Sequence, residues 1–468
     1  MKNLNKVFFA AMLGFPLVFQ AQTAPDLREL VNAALNRDAA IEQQNLEAKS
    51  IGLDQQKLKD VFLPKVQISG KAGYLNATAD FNSRELAVPA IKPVFPGMVF
   101  PEGALDNQFN LSGFDVAAKA EASVLIYSGG KVKHLKEALT EKNNSNRALQ
   151  EKYQDEVITQ VSKAYDQFAL VTESKKVLDE SKKRLDINKK TAEKALGYGL
   201  ITPYDFKKIE LAQATLDSKM VEYEGKKELL ITQLYLLTGI ERERIALINP
   251  TLEKIEYLNA DQSVENRAEL KALDFGLKAI DAKIKAEKTW WIPKVQATAS
   301  VSYLGLFNSN ISSSKDVVPG MVNRLDADLK NTQIFPVFQA GIGFKWDVFD
   351  GNEGKHEIEK ARIEREILES KKTDAERKLQ LNLANNQTNY DIAWSQIELK
   401  AKARQIAKNA LTQAEKEFRY GLIKSSQLIE AENDLENAEL EYQTAVFNQR
   451  RSAVELMKST QNLSAEKL

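Results

Sequence analysis

Tyr198-Gly199-Leu200-Ile201-Thr202-Pro203 recurs as Tyr420-Gly421-Leu422-Ile423-Lys424-Ser425. Each copy interrupts a long, charged run rich in Ala, Glu, Lys and Leu. Glycine ends a helix because it enters left-handed backbone without a Cβ clash, and a Pro or Ser soon after starts the next helix. Each copy therefore reads as the tip of a helical hairpin. The two tyrosines stand 222 residues apart, and so do Gly129 and Gly351, and His134 and His356. From the end of one strand pair to its tip, both halves have the same length.

Upstream of each helical run the periodicity changes from helical to alternating. Val66, Ile68, Ala72 and Tyr74 alternate with Lys65, Gln67, Ser69 and Lys71. Phe114 to Ile126 alternates in the same way, and so do Val295 to Tyr303 and Phe338 to Val348. One apolar and one polar face is the pattern of a half-covered strand. Leu63-Pro64-Lys65-Val66 and Ile292-Pro293-Lys294-Val295 mark equivalent strand starts, here 229 residues apart. The seven extra residues fall in the first strand–loop–strand segment. Helix length is therefore constrained and loop length is not, as for helices spanning a fixed distance beside loops in solvent.

These periods predict an internally duplicated chain. Residues 1–21 read as a signal peptide, with Lys2 and Lys6 before an apolar core from Val7 to Phe19. Residues 22–239 form the first repeat, with strands at about 64–75 and 114–127 and a helical hairpin at about 131–238. Residues 240–264 are a connector. Residues 265–468 form the second repeat, with strands at about 294–307 and 337–349 and a hairpin at about 354–460. The helix 131–197 would be roughly 100 Å long. Loops are expected at 75–113 and at about 308–335.

Composition narrows the function. Lys+Arg and Asp+Glu both number 65, so bulk charge favours no nucleic acid. Absence of cysteine excludes disulfides and a cysteine-borne lipid anchor. No later stretch is long and apolar enough for a transmembrane helix, so any membrane contact is made by a β-barrel. Four strands cannot close one, because small barrels need about eight. Three chains would supply twelve, with polar faces lining a lumen and apolar faces meeting lipid. Phe62, Trp290 and Trp291, beside the strand starts, are the expected interfacial aromatics. Two histidines and no HExxH, Walker loop or G-x-S-x-G leave no catalytic constellation, no cofactor motif and no metal site.

The duplicated order, the paired Pro-Lys-Val strand starts and the paired Tyr-Gly-Leu-Ile tips resemble the TolC-like outer-membrane efflux proteins. The stretch from Gly421 to Tyr442, with Gln427, Leu428, Ala431, Glu432, Leu435 and Ala438, carries the likeness most specifically. The resemblance implies a mixed fold, a membrane β-barrel plus a long α-helical barrel, with four strands per chain and twelve in a homotrimer. It implies an outer-membrane channel-tunnel whose helical part lies in the periplasm. This would be the exit duct of a tripartite efflux or type I secretion system. The partners would be a periplasmic adaptor and an inner-membrane transporter of RND or ABC type. By the same resemblance, Gly199, Leu200, Ile201 and Thr202, with Gly421, Leu422, Ile423 and Lys424, would contact the adaptor. Gln427 and Glu430 would stand at the periplasmic gate, where relatives carry carboxylates. A periplasmic coiled-coil scaffold is the alternative. It accounts for the helices but not for two alternating strand pairs.

Overall fold

A computed structural model describes residues 23–257, 263–461 and 463–466. The expected signal peptide and residues 258–262 of the connector lie outside them. Eight helices and six strands are described: α1 (Leu27–Arg37), α2 (Ala39–Asp60), β1 (Lys65–Phe81), β2 (Leu86–Val88), β3 (Met98–Phe100), β4 (Asn107–Tyr127), α3 (Lys131–Gly197) and α4 (Pro203–Thr238). Then follow α5 (Arg242–Ala246), α6 (Ala268–Glu287), β5 (Lys294–Val318), β6 (Val322–Lys345), α7 (Glu353–Arg419) and α8 (Ser425–Ser459). The chain divides into two compact units. One holds Ser50–Lys142 and Lys278–Glu366; the other holds the flanking segments, including 143–277 and 367–468.

The first of these units is built on one antiparallel sheet of order β1-β4-β5-β6. Its register joins the alternating faces read from sequence into one surface. Ile68 faces Ala120, Ala120 faces Val301, and Val301 faces Phe338. The neighbouring row is Val66, Ala122, Ala299 and Ala340. The opposite face carries Gln67, Glu121, Ser300 and Gln339 in register.

The strands run further than expected. β1 continues to Phe81, β4 starts at Asn107, and β5 and β6 fill most of the expected loop at 308–335, turning at 319–321. Residues 75–113 likewise hold the hairpin β2–β3 between two strand extensions. The physical reason is that the apolar side changes face beyond Tyr74: Ala77, Leu111, Ile311 and Ala327 pair in register on one face and the polar residues on the other. Thr78 pairs with Asn110, Asn110 with Ser312, and Ser312 with Asp326. Thr78 Oγ1 donates to Asn110 Oδ1 at 2.8 Å, and Asn310 Nδ2 donates to Asp326 and Asp328 at 2.9 and 3.0 Å. The alternation is present in Leu75, Ala77, Ala79 and Phe81, on the face opposite Thr78. At the other end β6 stops at Lys345, four residues short of expectation.

The second unit is helical. The helical segment before β1 is broken at Asp38, whose carboxylate accepts from the backbone of Ala40 at 2.9 Å and Ile41 at 3.0 Å. α1 packs Leu27, Leu30 and Val31 with Leu230, Ile231 and Leu234 of α4, around Phe168 and Val161 of α3. α4 ends in left-handed Gly239, as its sequence predicts. Among its described residues, the connector is irregular apart from α5. Gln449 of α8 clasps it, accepting from Ile255 N at 3.0 Å and donating to Ile255 O at 2.6 Å. Beside that clasp, buried Asp166 of α3 receives Arg450 Nε at 2.9 Å and Arg451 Nη1 at 3.2 Å.

Candidate functional site

Both tips close with the same hydrogen bonds. Leu200 N donates to Ala195 O at 2.8 Å and Gly199 N to Leu196 O at 3.0 Å. Leu422 N donates to Glu417 O at 2.9 Å and Gly421 N to Phe418 O at 3.0 Å. Gly199 and Gly421 have φ of 71° and 73°. This is the Schellman closure, in which the glycine bonds one carbonyl and the next residue bonds another a turn back. The following helices start differently. Thr202 Oγ1 accepts from Asp205 N at 3.1 Å and donates to Asp205 Oδ2 at 2.7 Å. That hydrogen bond holds the Asp205 carboxyl below its usual range. In the second tip, Gln427 Oε1 accepts from Lys424 N at 3.1 Å.

The tips lie together, since Ser425 Oγ donates to Asp205 O at 3.2 Å. Leu200 and Leu422 project into solvent, 76% and 73% exposed. Ile201 and Ile423 turn inward onto the apolar seam of Leu428, Leu435, Ile209 and Leu216. So the eight tip residues split into two exposed leucines, two packed isoleucines, two turn glycines and two exposed helix-start residues, Thr202 and Lys424. Tyr198, Tyr204 and Tyr420 are also exposed there. Their signal was in the sequence, as aromatics flanking both glycines.

Of the residues assigned to a gate, Glu430 and Gln427 are both exposed on α8, and Gln427 also caps that helix. The carboxylates buried on α8 are others. Glu432 accepts from Arg184 Nε at 3.0 Å and Asn188 Nδ2 at 2.9 Å, both on α3. Burial raises its carboxyl above the usual range, opposed by Arg184. Glu436 is buried against Lys219 of α4. Glu432 lies in the stretch that carries the family likeness, but the sequence did not show that charged groups from the other hairpin would meet it or Glu436.

On the sheet, the apolar surface is bounded at one end by rings. Tyr74 and Phe114 stack edge-to-face at 5.3 Å, and Phe307 faces Phe114 in the next strand. At the helix-joined end stand Phe62 and Trp291, both exposed, and Trp346 Nε1 donates to Trp291 O at 2.9 Å. Trp290 instead packs on Gly354, where a Cβ would fall 2.5 Å from the indole. Among the described residues, no group of three or more His, Asp or Glu could hold a metal ion. No described helix is long and apolar enough to cross a membrane.

Residues 259–461 match the family model of outer membrane efflux proteins. The match covers the second repeat, less than half of the chain. Solved structures agree in fold over nearly the whole length. CusC, described for transmembrane channel formation, superposes with a TM-score of 0.69 at 13% identity, covering 93% of this chain and 91% of its own. The Campylobacter jejuni CmeC outer membrane channel gives 0.66 at 14%, covering 100% and 96%. The outer membrane protein VceC of Vibrio cholerae gives 0.65 at 15%, covering 93% and 95%. No curated protein matches the chain in sequence. The likeness to these structures is one of fold.

Proposed function

We propose that three copies of this chain close one twelve-stranded barrel in the outer membrane and form the exit duct of a tripartite pump. The observation that carries the reading is the four-stranded sheet. Its apolar face is continuous over all four strands, while edge strands β1 and β6 have one side unpaired. Edges of 17 and 24 residues left open in lipid would strand their backbone N–H and C=O groups. Pairing the β6 edge of one copy with the β1 edge of the next satisfies them. Rotation by a third of a turn closes the ring.

The partners follow from the tips. A periplasmic adaptor seats on Leu200 and Leu422, framed by Gly199, Thr202, Gly421 and Lys424, and links the duct to an inner-membrane transporter of RND or ABC type. Ile201 and Ile423 support that surface from beneath. Glu430 serves as the gate carboxylate, and Gln427 sets the start of the helix that carries it.

The test is a deletion strain complemented with Leu200→Asp/Leu422→Asp. A charge on each exposed leucine leaves the buried seam untouched. The expected result is normal trimer in outer-membrane fractions, with efflux of a toxic-compound panel reduced at least about tenfold. Full efflux would remove the tips from partner contact. A trimer absent from the outer membrane, for the unsubstituted chain, would remove the duct.

A further inference from the structure

The duplication supplies an internal control at the helix-joined end of the sheet. In the second repeat the start of α7 is capped and covered by side chains of the same chain, although Asp350 Oδ1 is buried without a hydrogen-bond partner. Asp350 Oδ2 accepts from Gly354 N at 2.7 Å, Glu353 adds an acid in the first turn, and Trp290 fills the space over Gly354. In the first repeat the equivalent positions, by the 222- and 229-residue registers, are Ser128, Lys131, Val132 and Val61. Both acids and the indole are missing. α3 has no acidic residue in its first turn, and Lys131 is engaged by Glu287 at 2.8 Å. Beside this helix start, against Val132, lies an open cavity of about 540 Å³.

The lining of that cavity has two characters. Phe62, Ile126 and Val132 supply an apolar wall, and the neighbouring Tyr127 pairs with Val295 on the apolar face of the sheet. Lys59, Lys133 and Lys136 stand on its rim, exposed, and no salt bridge among the described residues engages them. Glu137, the carboxylate whose charge Lys133 influences, already bonds His134 Nδ1 at 3.0 Å. A positive helix end beside three ammonium groups repels itself unless an anion sits there. An apolar wall opening onto a membrane-facing sheet, with cations at its mouth, matches a lipid with a charged head.

We propose that this cavity binds an anionic glycerophospholipid, its acyl chain against Phe62, Ile126 and Val132 and its phosphate on Lys59, Lys133 and Lys136. The inference rests on the sheet facing lipid. The second repeat has no such site, because Trp290 fills the space over Gly354 and Asp350 caps the helix start from within the chain. Each trimer therefore carries three lipid sites, all at first-repeat positions.

The test uses the purified full-chain trimer in neutral detergent, titrated with palmitoyl-oleoyl phosphatidylglycerol or its phosphatidylcholine counterpart and read by native mass spectrometry. Each lysine near an anionic headgroup is worth several-fold, so phosphatidylglycerol should be retained at about tenfold lower concentration. Lys59→Gln/Lys133→Gln/Lys136→Gln removes charge without touching the wall and should abolish that preference. Val61→Trp/Val132→Gly copies the second repeat's plug into the first and should lower retention of both lipids. Equal retention of the two lipids by the unsubstituted trimer overturns the site. So does a preference that survives the triple glutamine variant. Outer-membrane fractionation of the same strains separates the premise from the proposal. Absence from that fraction removes the duct and the site together, whereas normal fractionation without a lipid preference removes the site alone.

Discussion

Asp155 shows what a buried acid does to a helix bundle. It lies on α3, where Gln461 Nε2 donates to its Oδ2 at 2.7 Å, close to Arg267, Lys458 and Glu269. Burial pushes its carboxyl up to about 6 from 3.8, and the hydrogen bond and the two cations offset only part of that. A carboxyl raised on folding binds its proton more tightly in the native state. Its contribution to stability is therefore greatest below about pH 4 and declines between about pH 4 and pH 6. Above that range the ionised group costs stability. Asp155→Asn keeps an oxygen for Gln461 and removes the charge. It should raise stability by about 1 kcal/mol at pH 7.5, after allowance for solvent screening, and by almost nothing near pH 4. Thermal melting of both proteins at the two pH values checks this. An equal gain at both would mean that packing, not ionisation, sets the difference.

Two helical hairpins pack side by side through charge as well as through leucines. The apolar seam from Leu178 to Leu435 is what heptad spacing predicts. The pairs Arg184–Glu432 and Lys219–Glu436, and the bond from Asn188 to Glu432, are set in that seam and join α8 to α3 and α4. Removing one partner of such a pair leaves the other desolvated. Glu432→Ala should therefore cost about 1–3 kcal/mol in denaturant unfolding, whereas exposed Glu430→Ala should stay within about 0.5 kcal/mol. The Arg184→Ala/Glu432→Ala double variant should lose less than the two single losses together. Comparable losses for Glu430 and Glu432 would contradict their difference in burial.

The same elements show why part of the chain was legible in advance. Tip closure needs only a left-handed glycine, so Gly199 and Gly421 announce themselves. The apolar strand segments alternate, so four strands were visible, but beyond Tyr74 the apolar residues change face, and Ala77, Leu111, Ile311 and Ala327 line up opposite the polar row from Thr78 to Asp326. Asp38 splits the first helix through a side-chain cap that its surrounding helical pattern conceals. Glu432 and Glu430 are both glutamates on one helix. Which of them is buried depends on residues 244 to 248 positions away in the chain, at Asn188 and Arg184.

At the scale of the assembled molecule, the apolar face of the sheet decides between a membrane duct and a soluble scaffold. Ile68, Ala120, Val301 and Phe338 form the middle row between the aromatic rings, and Ile68 and Phe338 are 80% and 78% exposed in the single chain. In water, a lysine at so exposed a place is tolerated. At the midplane of a bilayer, on the lipid face of a barrel, it costs roughly 2–4 kcal/mol. Gln67, one residue earlier, belongs to the opposite face and serves as the control. If the sheet is one third of a lipid-embedded barrel, Ile68→Lys lowers the amount of trimer in outer-membrane fractions severalfold, while Gln67→Lys, lining the lumen, leaves it unchanged. The contrast between neighbours on one strand excludes general effects on expression or helix folding. Equal trimer levels for the two lysine variants would sink the lipid-facing assignment and with it the threefold closure, since a sheet with water on both faces has no need to hide its edges from a bilayer.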